Sequence, residues 1–307
     1  MRNMYDNIHT RFILSPILNI LYDTKNACMG IGNGIGTQSL GEYVLQTTFL
    51  KMTGASEQKL KCICWELATN DYEYRYQYLK KNYGECSAYT DKSSIYKDLI
   101  NAVTKLNPAF NVNDIFEDID ISPMLGELIQ QKINQARKNQ ERNKKKRKLT
   151  DTEYERLSKG MTLYYSTRGF CKEEMANFRR IVLFRGVQNM IHEAIGNSLI
   201  SQWEQHNYAN YMKLWNALSS TAYAEGDTLL GKELQDFYTD IVYTHRNRCA
   251  HNLKSFQNNL PTLKTLASEN YVYDNYYFYF SILILLDEIF IRLYKTYIET
   301  YNSNRVA

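Results

Sequence analysis

The hydrophobic residues of this chain recur every three or four positions over most of its length, which is the spacing of helices with one buried face. Helices are predicted at residues 3–28, 38–53, 57–82, 93–105, 124–158, 172–206, 208–222, 227–254 and 272–302. The 307 residues include four prolines, and glycine is sparse after the first 40 residues, so few positions interrupt these segments. The pattern predicts an all-α fold rather than a β-rich fold or one that alternates strands and helices.

Two proline-containing breaks, at Asn107-Pro108 and Ser122-Pro123, divide the helical pattern. They predict an N-terminal helical region at 1–110, an acidic-to-basic linker with a polar helix at 111–160, and a C-terminal helical bundle at 161–307. The polar helix of the middle region has too few apolar residues in its centre to bury a face. We therefore expect it to project as a basic helical arm or to fray.

Positive charge is concentrated in one part of the chain. The net charge is +4, and residues 137–148 (RKNQERNKKKRK) hold eight basic residues against one acidic residue. Such a cluster can bind a polyanion through its phosphates, although a solvated helix face or a docking site for an acidic partner has the same composition. The predicted RNA-binding residues are Arg142, Lys144, Lys145, Lys146, Arg147 and Lys148, together with Arg248.

Metal and nucleotide sites are not predicted. The six cysteines contain no C-x-x-C pair, so no metal site is expected. The glycine-rich stretch 30–36 lacks the G-x-G-x-x-G spacing, and the chain has no Walker loop. We expect no cofactor, and a nucleotide-dependent enzyme is disfavoured.

A membrane location is also not predicted. The most apolar run, Phe278 to Leu286, is about nine residues long, whereas a spanning helix needs ~20. This run predicts a buried core helix. The N-terminus lacks the layout of a signal peptide, and we expect a cytoplasmic protein with reduced thiols and no membrane partner.

The candidate chemistry lies at residues 243–252 (YTHRNRCAHN), within the predicted helix 227–254. A helical wheel of ~100° per residue separates an apolar side from a polar stripe on this helix. The apolar side holds Leu234, Tyr238, Ile241, Val242, Cys249 and Leu253, with His245 among them. The polar stripe holds Asp240, Thr244, Asn247 and His251, with Arg246 beside it.

Arginine, a small amide and histidine suffice to cleave RNA without a metal, because the 2′-hydroxyl of RNA supplies the nucleophile. Arg246 can hold the phosphate and stabilise its developing charge. His251 can move a proton near neutral pH, and Asn247 can orient either group. The predicted catalytic residues are therefore Arg246, Asn247 and His251.

The pattern Arg246-Asn247-x-x-x-His251 on a bundle helix resembles the signature of the HEPN superfamily, and especially bacterial abortive-infection proteins of that superfamily. The resemblance covers roughly residues 165–302. It implies an all-α HEPN-like bundle with a metal-independent endoribonuclease site that is completed in a homodimer. It also implies an anti-phage or toxin effector, controlled by an antitoxin or by a phage or host trigger protein.

Other interpretations of these residues remain open. Arg185-x(6)-His192 also satisfies the looser form of the motif. Arg246 and His251 could instead be surface cations near a helix C-terminus, where positive charge is favourable. The chain could be a non-catalytic HEPN-like module that binds RNA or protein. It could also be an interaction protein in which residues 1–160 recognise a partner and the bundle only dimerises.

Overall fold

A computed structural model describes residues 7–32, 34, 37–80, 84–143, 147–196, 198–203, 215, 218, 228–251 and 276–306. Helices connected by turns and short loops account for these residues, and none of them forms a strand. The predicted all-α class is confirmed. Most of the predicted helix 208–222 lies outside the described residues.

The helices are as follows. The α-helices are α1 (Ile8–Leu14), α2 (Asn19–Ala27), α3 (Gln38–Asn70), α4 (Tyr72–Lys80), α5 (Tyr89–Leu106), α6 (Leu125–Asn143), α7 (Asp151–Arg168), α8 (Lys172–Ile195), α9 (Leu199–Trp203), α10 (Lys232–Phe237), α11 (Thr244–His251) and α12 (Tyr276–Val306). Short 3₁₀ helices lie at Val112–Phe116 and Ser122–Met124, and a π-helical segment, Tyr238–Tyr243, joins α10 to α11.

The chain forms two compact units. The first contains residues 1–115 and 184–307, and the second contains residues 116–183. The N-terminal helices therefore share one unit with the C-terminal helices. This division differs from the one predicted, which placed boundaries near 110 and 160 and separated the N-terminal region from the bundle.

The core of the first unit is built on α12, which packs against α3 and α5. Every residue from Tyr276 to Asp287 is buried, which confirms the prediction that the apolar run 278–286 is a core helix. No helix in the described part of the chain combines the length and apolarity that a membrane span requires.

Helix α3 is longer than predicted. The sequence predicted a break between 53 and 57, but one helix of 33 residues continues to Asn70. Gly54 lies at an exposed position, so it interrupts no packing. The buried positions keep a spacing of three and four across it: Leu45, Phe49, Met52, Ser56, Leu60, Ile63 and Leu67.

Two other helix boundaries differ from prediction for local reasons. The predicted helix 57–82 is interrupted at Asp71, whose Oδ1 accepts from the backbone N–H groups of Glu73 and Tyr74 and so begins α4. The predicted helix 3–28 is broken between α1 and α2 at Ser15-Pro16, because the residue before a proline disfavours helical backbone.

The predicted single helix 124–158 is wrong, since α6 and α7 pack against each other as a hairpin in the second unit. Thr150 and Glu153 form a capping box that begins α7. The Gln130 amide donates to the Tyr154 hydroxyl at 3.0 Å, and the Arg137 guanidinium lies 5.1 Å from the centre of the same ring. These contacts join α6 to α7 within a segment that was expected to project as a single helical arm.

A buried ion pair joins two core helices of the first unit. Lys59 Nζ of α3 lies 2.6 Å from Asp287 Oδ1 of α12, and both side chains are about 95% shielded from solvent, with exposures of 5% and 4%. Asp287 Oδ2 also accepts from the backbone N–H of Ile17 at 2.8 Å. Burial raises the pKa of Asp287 and lowers that of Lys59, and their mutual attraction opposes both shifts.

Replacement of Asp287 by Asn should lower the free energy of unfolding by about 3 kcal/mol or more, because Lys59 then stays buried without its anionic partner. The exposed pair Lys232–Asp236 provides the matched control. Asp236→Asn should cost no more than about 0.5 kcal/mol. Urea denaturation of both variants measures the difference, and equal costs would contradict a structural role for the buried pair.

Candidate functional site

The candidate motif lies on α11, directly after the π-helical segment Tyr238–Tyr243. The Thr244 hydroxyl donates to the carbonyl of Thr239, five residues earlier, at 3.5 Å. A π-helical turn holds more residues than an α-helical turn, so a wheel of constant angle does not apply across this segment. The wheel nevertheless identified residues that the structure buries: Leu234, Tyr238, Val242 and Cys249.

Arg246 is held by a carboxylate from the N-terminal half of the chain. Its Nε donates to Glu57 Oε1 at 3.2 Å, and its Nη2 donates to Glu57 Oε2 at 3.1 Å. The two side chains are 20% and 12% exposed. This is a two-point ion pair in a partly buried setting, which fixes the orientation of the guanidinium.

Asn247 lies next to the guanidinium. Its Oδ1 accepts from Arg246 Nη1 at 3.2 Å. With the two bonds to Glu57, all three guanidinium nitrogens donate within the protein. Arg246 and Asn247 therefore form one polar cluster with Glu57, which we call the Arg246 cluster.

His251 is the last residue of α11, and its side chain lies outside the described residues. The backbone geometry of an α-helix separates it from Arg246 by about 140° around the axis and about 7.5 Å along it. By the same geometry Asn247 and His251 differ by about 40°. The structure thus brings Arg246 and Asn247 together and turns Arg246 toward Glu57 of α3.

Lys92 of α5 and Tyr238 of the π-helical segment lie close enough to the Arg246 cluster for the charges of Glu57 and Arg246 to act on both. The Tyr238 hydroxyl donates to the carbonyl of Ser87 at 2.9 Å, and Lys92 Nζ donates to the carbonyl of Cys86 at 2.8 Å. Lys92 is 1% exposed. Burial lowers the pKa of Lys92 to about 8, and the negative charge of Glu57 acts in the opposite direction. Burial also raises the pKa of the Tyr238 hydroxyl above its ordinary value.

His245 packs among aromatic rings, which confirms that it belongs with the apolar residues of the helix. Its ring lies 4.6 Å from that of Tyr279 and 5.1 Å from that of Phe49. Its Nε2 is 3.3 Å from the Tyr276 hydroxyl and 3.4 Å from Cys249 Sγ. Burial lowers the pKa of His245 to about 4, and the charge of Arg248 lowers it further. At neutral pH this ring is therefore uncharged.

The candidate RNA-binding residues that the structure describes are all exposed: Arg142, Arg147, Lys148 and Arg248. Arg147 Nη2 lies 3.9 Å from Glu153 Oε2, a long and mostly solvated contact. Lys144, Lys145 and Lys146 fall outside the described residues. Within the described residues, no group of three or more His, Cys, Asp or Glu side chains is arranged to hold a metal ion.

Glu57 is the residue of this site that sequence analysis did not identify. It precedes Arg246 by 189 positions and belongs to a region that was predicted to be separate from the bundle. Glutamate on a polar helix position carries no signal of its own, because most such residues face solvent. A sequence prediction of this contact would have required knowledge of how α3 packs against α11.

Comparison with known proteins yields no relative: no protein-family model, no curated protein and no solved structure matches this chain. The interpretation of the Arg246 cluster therefore depends on its geometry and chemistry.

The pH dependence of stability should report the burial of His245. Between its unfolded pKa of 6.5 and its folded pKa of about 4, the unfolded chain binds a proton that the folded chain does not. The free energy of unfolding should therefore fall as the pH is lowered through this window. In His245→Phe this fall should be smaller by on the order of 2 kcal/mol.

His192 supplies the control, since it is an exposed histidine of α8. His192→Gln should show the same pH dependence as the parent chain in urea denaturation at a series of pH values. Parallel curves for the parent and His245→Phe would contradict the assignment of the acid-sensitive group.

Proposed function

We propose that this protein is a metal-independent endoribonuclease of the HEPN type, in which Arg246, Asn247 and His251 are the catalytic residues. The observation that supports it best is the Arg246 cluster. A partly exposed guanidinium is fixed beside an amide, on the same helix as a histidine five positions later. Such a guanidinium can stabilise the charge that develops on a phosphodiester during cleavage.

In the proposed reaction, a histidine removes the proton of the 2′-hydroxyl and that oxygen attacks the adjacent phosphorus. The bond to the 5′-oxygen breaks, and this oxygen receives a proton. The products carry a 2′,3′-cyclic phosphate and a 5′-hydroxyl. Positioned proton transfer of this kind contributes roughly 10²–10⁴-fold to the rate.

We further propose that the complete site is formed by two copies of the chain. Arg246 faces α3, whereas His251 begins about 140° away on the same helix, and the reaction requires two proton-transfer groups. Two α11 helices that meet about a two-fold axis would supply two histidines and two arginines to one phosphodiester. The proposed partners are accordingly RNA and a second copy of the chain.

The proposed biological role is that of an anti-phage abortive-infection or toxin effector, kept inactive until a phage or host trigger protein acts or an antitoxin is removed. Its support is the resemblance of Arg246-Asn247-x-x-x-His251 to HEPN proteins. The residues proposed to contact RNA phosphates are Arg142, Lys144, Lys145, Lys146, Arg147, Lys148 and Arg248.

A non-catalytic module is the second candidate, and the ion pair itself favours it. Glu57 already neutralises Arg246, as a purely structural pair would. In that case the protein would bind RNA or a protein partner without cutting RNA. The two candidates differ in whether His251 is required.

The proposed activity is tested with the full chain and a mixture of structured and unstructured RNAs in the presence of EDTA. The parent should cut RNA, and His251→Ala and Arg246→Ala should each reduce the rate by about 100-fold or more, since each removes a group that acts in the transition state. The RNA fragments should end in 2′,3′-cyclic phosphate and 5′-hydroxyl groups.

The control for this experiment is His192→Ala, which alters the histidine of the second Arg-x(6)-His match. It should retain the activity of the parent. A parent that binds RNA but leaves it intact supports the non-catalytic module, and full activity in His251→Ala rejects the assigned site.

The contribution of the basic segment is tested by the salt dependence of RNA binding. The double variant Arg147→Gln/Lys148→Gln should weaken binding to single-stranded RNA. The plot of the logarithm of the association constant against the logarithm of the salt concentration has a negative slope, which should become shallower by ~0.7 for each phosphate that the variant no longer neutralises. Lys159→Gln is the matched control, because Lys159 is an exposed lysine of α7 that is 77% accessible. Equal slopes in the parent and the double variant would contradict the proposal that this segment contacts RNA.

A further inference from the structure

We infer that Glu57 is the positioning residue of this site: it fixes the guanidinium of Arg246 through one edge, so that another edge can receive a phosphodiester. This inference rests on the proposed function. It assigns a role in the reaction to helix α3, which lies outside the segment that carries the catalytic motif.

The edge that Glu57 occupies supports this role. Nε and Nη2 form one edge of the guanidinium, and both donate to Glu57. Nη1 donates one hydrogen to Asn247. A guanidinium has five hydrogens, so among the described residues one hydrogen on Nη1 and one on Nη2 are not used by these three bonds. Each of these hydrogens can donate to a phosphate oxygen.

The burial of the Glu57 carboxylate indicates that Glu57 holds Arg246 in place for a phosphate rather than blocking the phosphate from Arg246. Glu57 is only 12% exposed, so little water reaches its carboxylate. A phosphate that displaced Glu57 from Arg246 would leave a poorly solvated carboxylate without its cation, which is strongly unfavourable. We therefore expect a phosphate to join the ion pair rather than to replace it.

The attachment of both partners to packed helices makes the arrangement rigid. Arg246 belongs to α11, where the neighbouring Cys249 is buried, and Glu57 belongs to α3, whose opposite side is buried against α12. A guanidinium held in this way loses little conformational freedom when a phosphate binds. A displacement of about 1 Å in such a group can reduce a rate by about 100-fold.

The experiment compares kcat and KM for RNA cleavage in Glu57→Gln and Glu57→Asp. Glu57→Gln keeps the shape of the side chain but removes its charge and turns one acceptor into a donor that faces the guanidinium. We expect kcat to fall by about 100-fold with KM within about threefold of the parent. Glu57→Asp retains a carboxylate and should recover part of the missing kcat.

Glu299→Gln is the matched control, because Glu299 is an exposed carboxylate that pairs with Lys295 of the same helix at 4.0 Å. It should leave kcat and KM at the values of the parent. Thermal unfolding of each variant establishes that it is folded. If Glu57→Gln fails to fold, the kinetics of Glu57→Asp test the inference. A lower kcat at unchanged KM supports the positioning role of Glu57, and kinetics equal to those of the parent overturn that role.

The remaining outcomes separate this inference from the proposed function. Parental kinetics in folded Glu57→Gln, together with inactive Arg246→Ala and His251→Ala, overturn the role of Glu57 and leave the nuclease site intact. Higher activity in Glu57→Gln also overturns it, because Glu57 would then restrain Arg246. A parent chain that does not cut RNA rejects the proposed function, and the inference falls with it.

Discussion

The register in which α3 packs against α12 is the constraint on which the rest of the first unit depends. The buried ion pair fixes this register, because Lys59 is shielded from solvent and its charge is compensated only when it lies beside Asp287. A shift of one helical turn would bury the lysine without a partner, and that cost is large compared with the net stability of a domain. Asp287 also binds the backbone of Ile17, so the same carboxylate ties the segment between α1 and α2 to the core.

The position of Glu57 follows from that register. Glu57 precedes Lys59 by two residues, which is about 200° around the helix, so the two side chains leave α3 on opposite sides. Lys59 faces the core helix α12, and Glu57 faces α11 and its arginine. The packing of the interior thereby places one carboxylate beside Arg246, and the polar geometry of the candidate site is a consequence of how the hydrophobic core is assembled.

The sequence predicted those features that repeat along a helix or depend on a few neighbouring residues. The apolar run at 278–286 indicated a core helix, and the spacing around Val242 and Cys249 indicated the buried side of the motif helix. The break between α6 and α7 was also readable, since Thr150 and Glu153 have the spacing of a capping box. The prediction of one long helix overlooked that local signal in favour of overall polarity.

The features that were not predicted arise from contacts between distant residues. The pair Glu57–Arg246 spans 189 positions, and nothing in either local sequence distinguishes it from a solvated charge. The continuity of α3 through Gly54 follows from burial on both sides of the glycine, which outweighs its weak helix propensity. The π-helical segment likewise departs from the periodicity of 3.6 residues on which the prediction of a helix at 227–254 depends.

That π-helical segment sets the direction in which α11 presents the motif. A π turn accommodates one residue more than an α turn, so the six residues Tyr238–Tyr243 turn through about the same angle as five residues of α-helix. If the segment relaxed to regular α-helix with all six residues kept, everything after it would rotate by about 100° relative to α10. Arg246 would then leave the side of α3, although every residue of the motif would still be present. The direction of the guanidinium therefore depends on the backbone of a segment that contributes no residue to the motif.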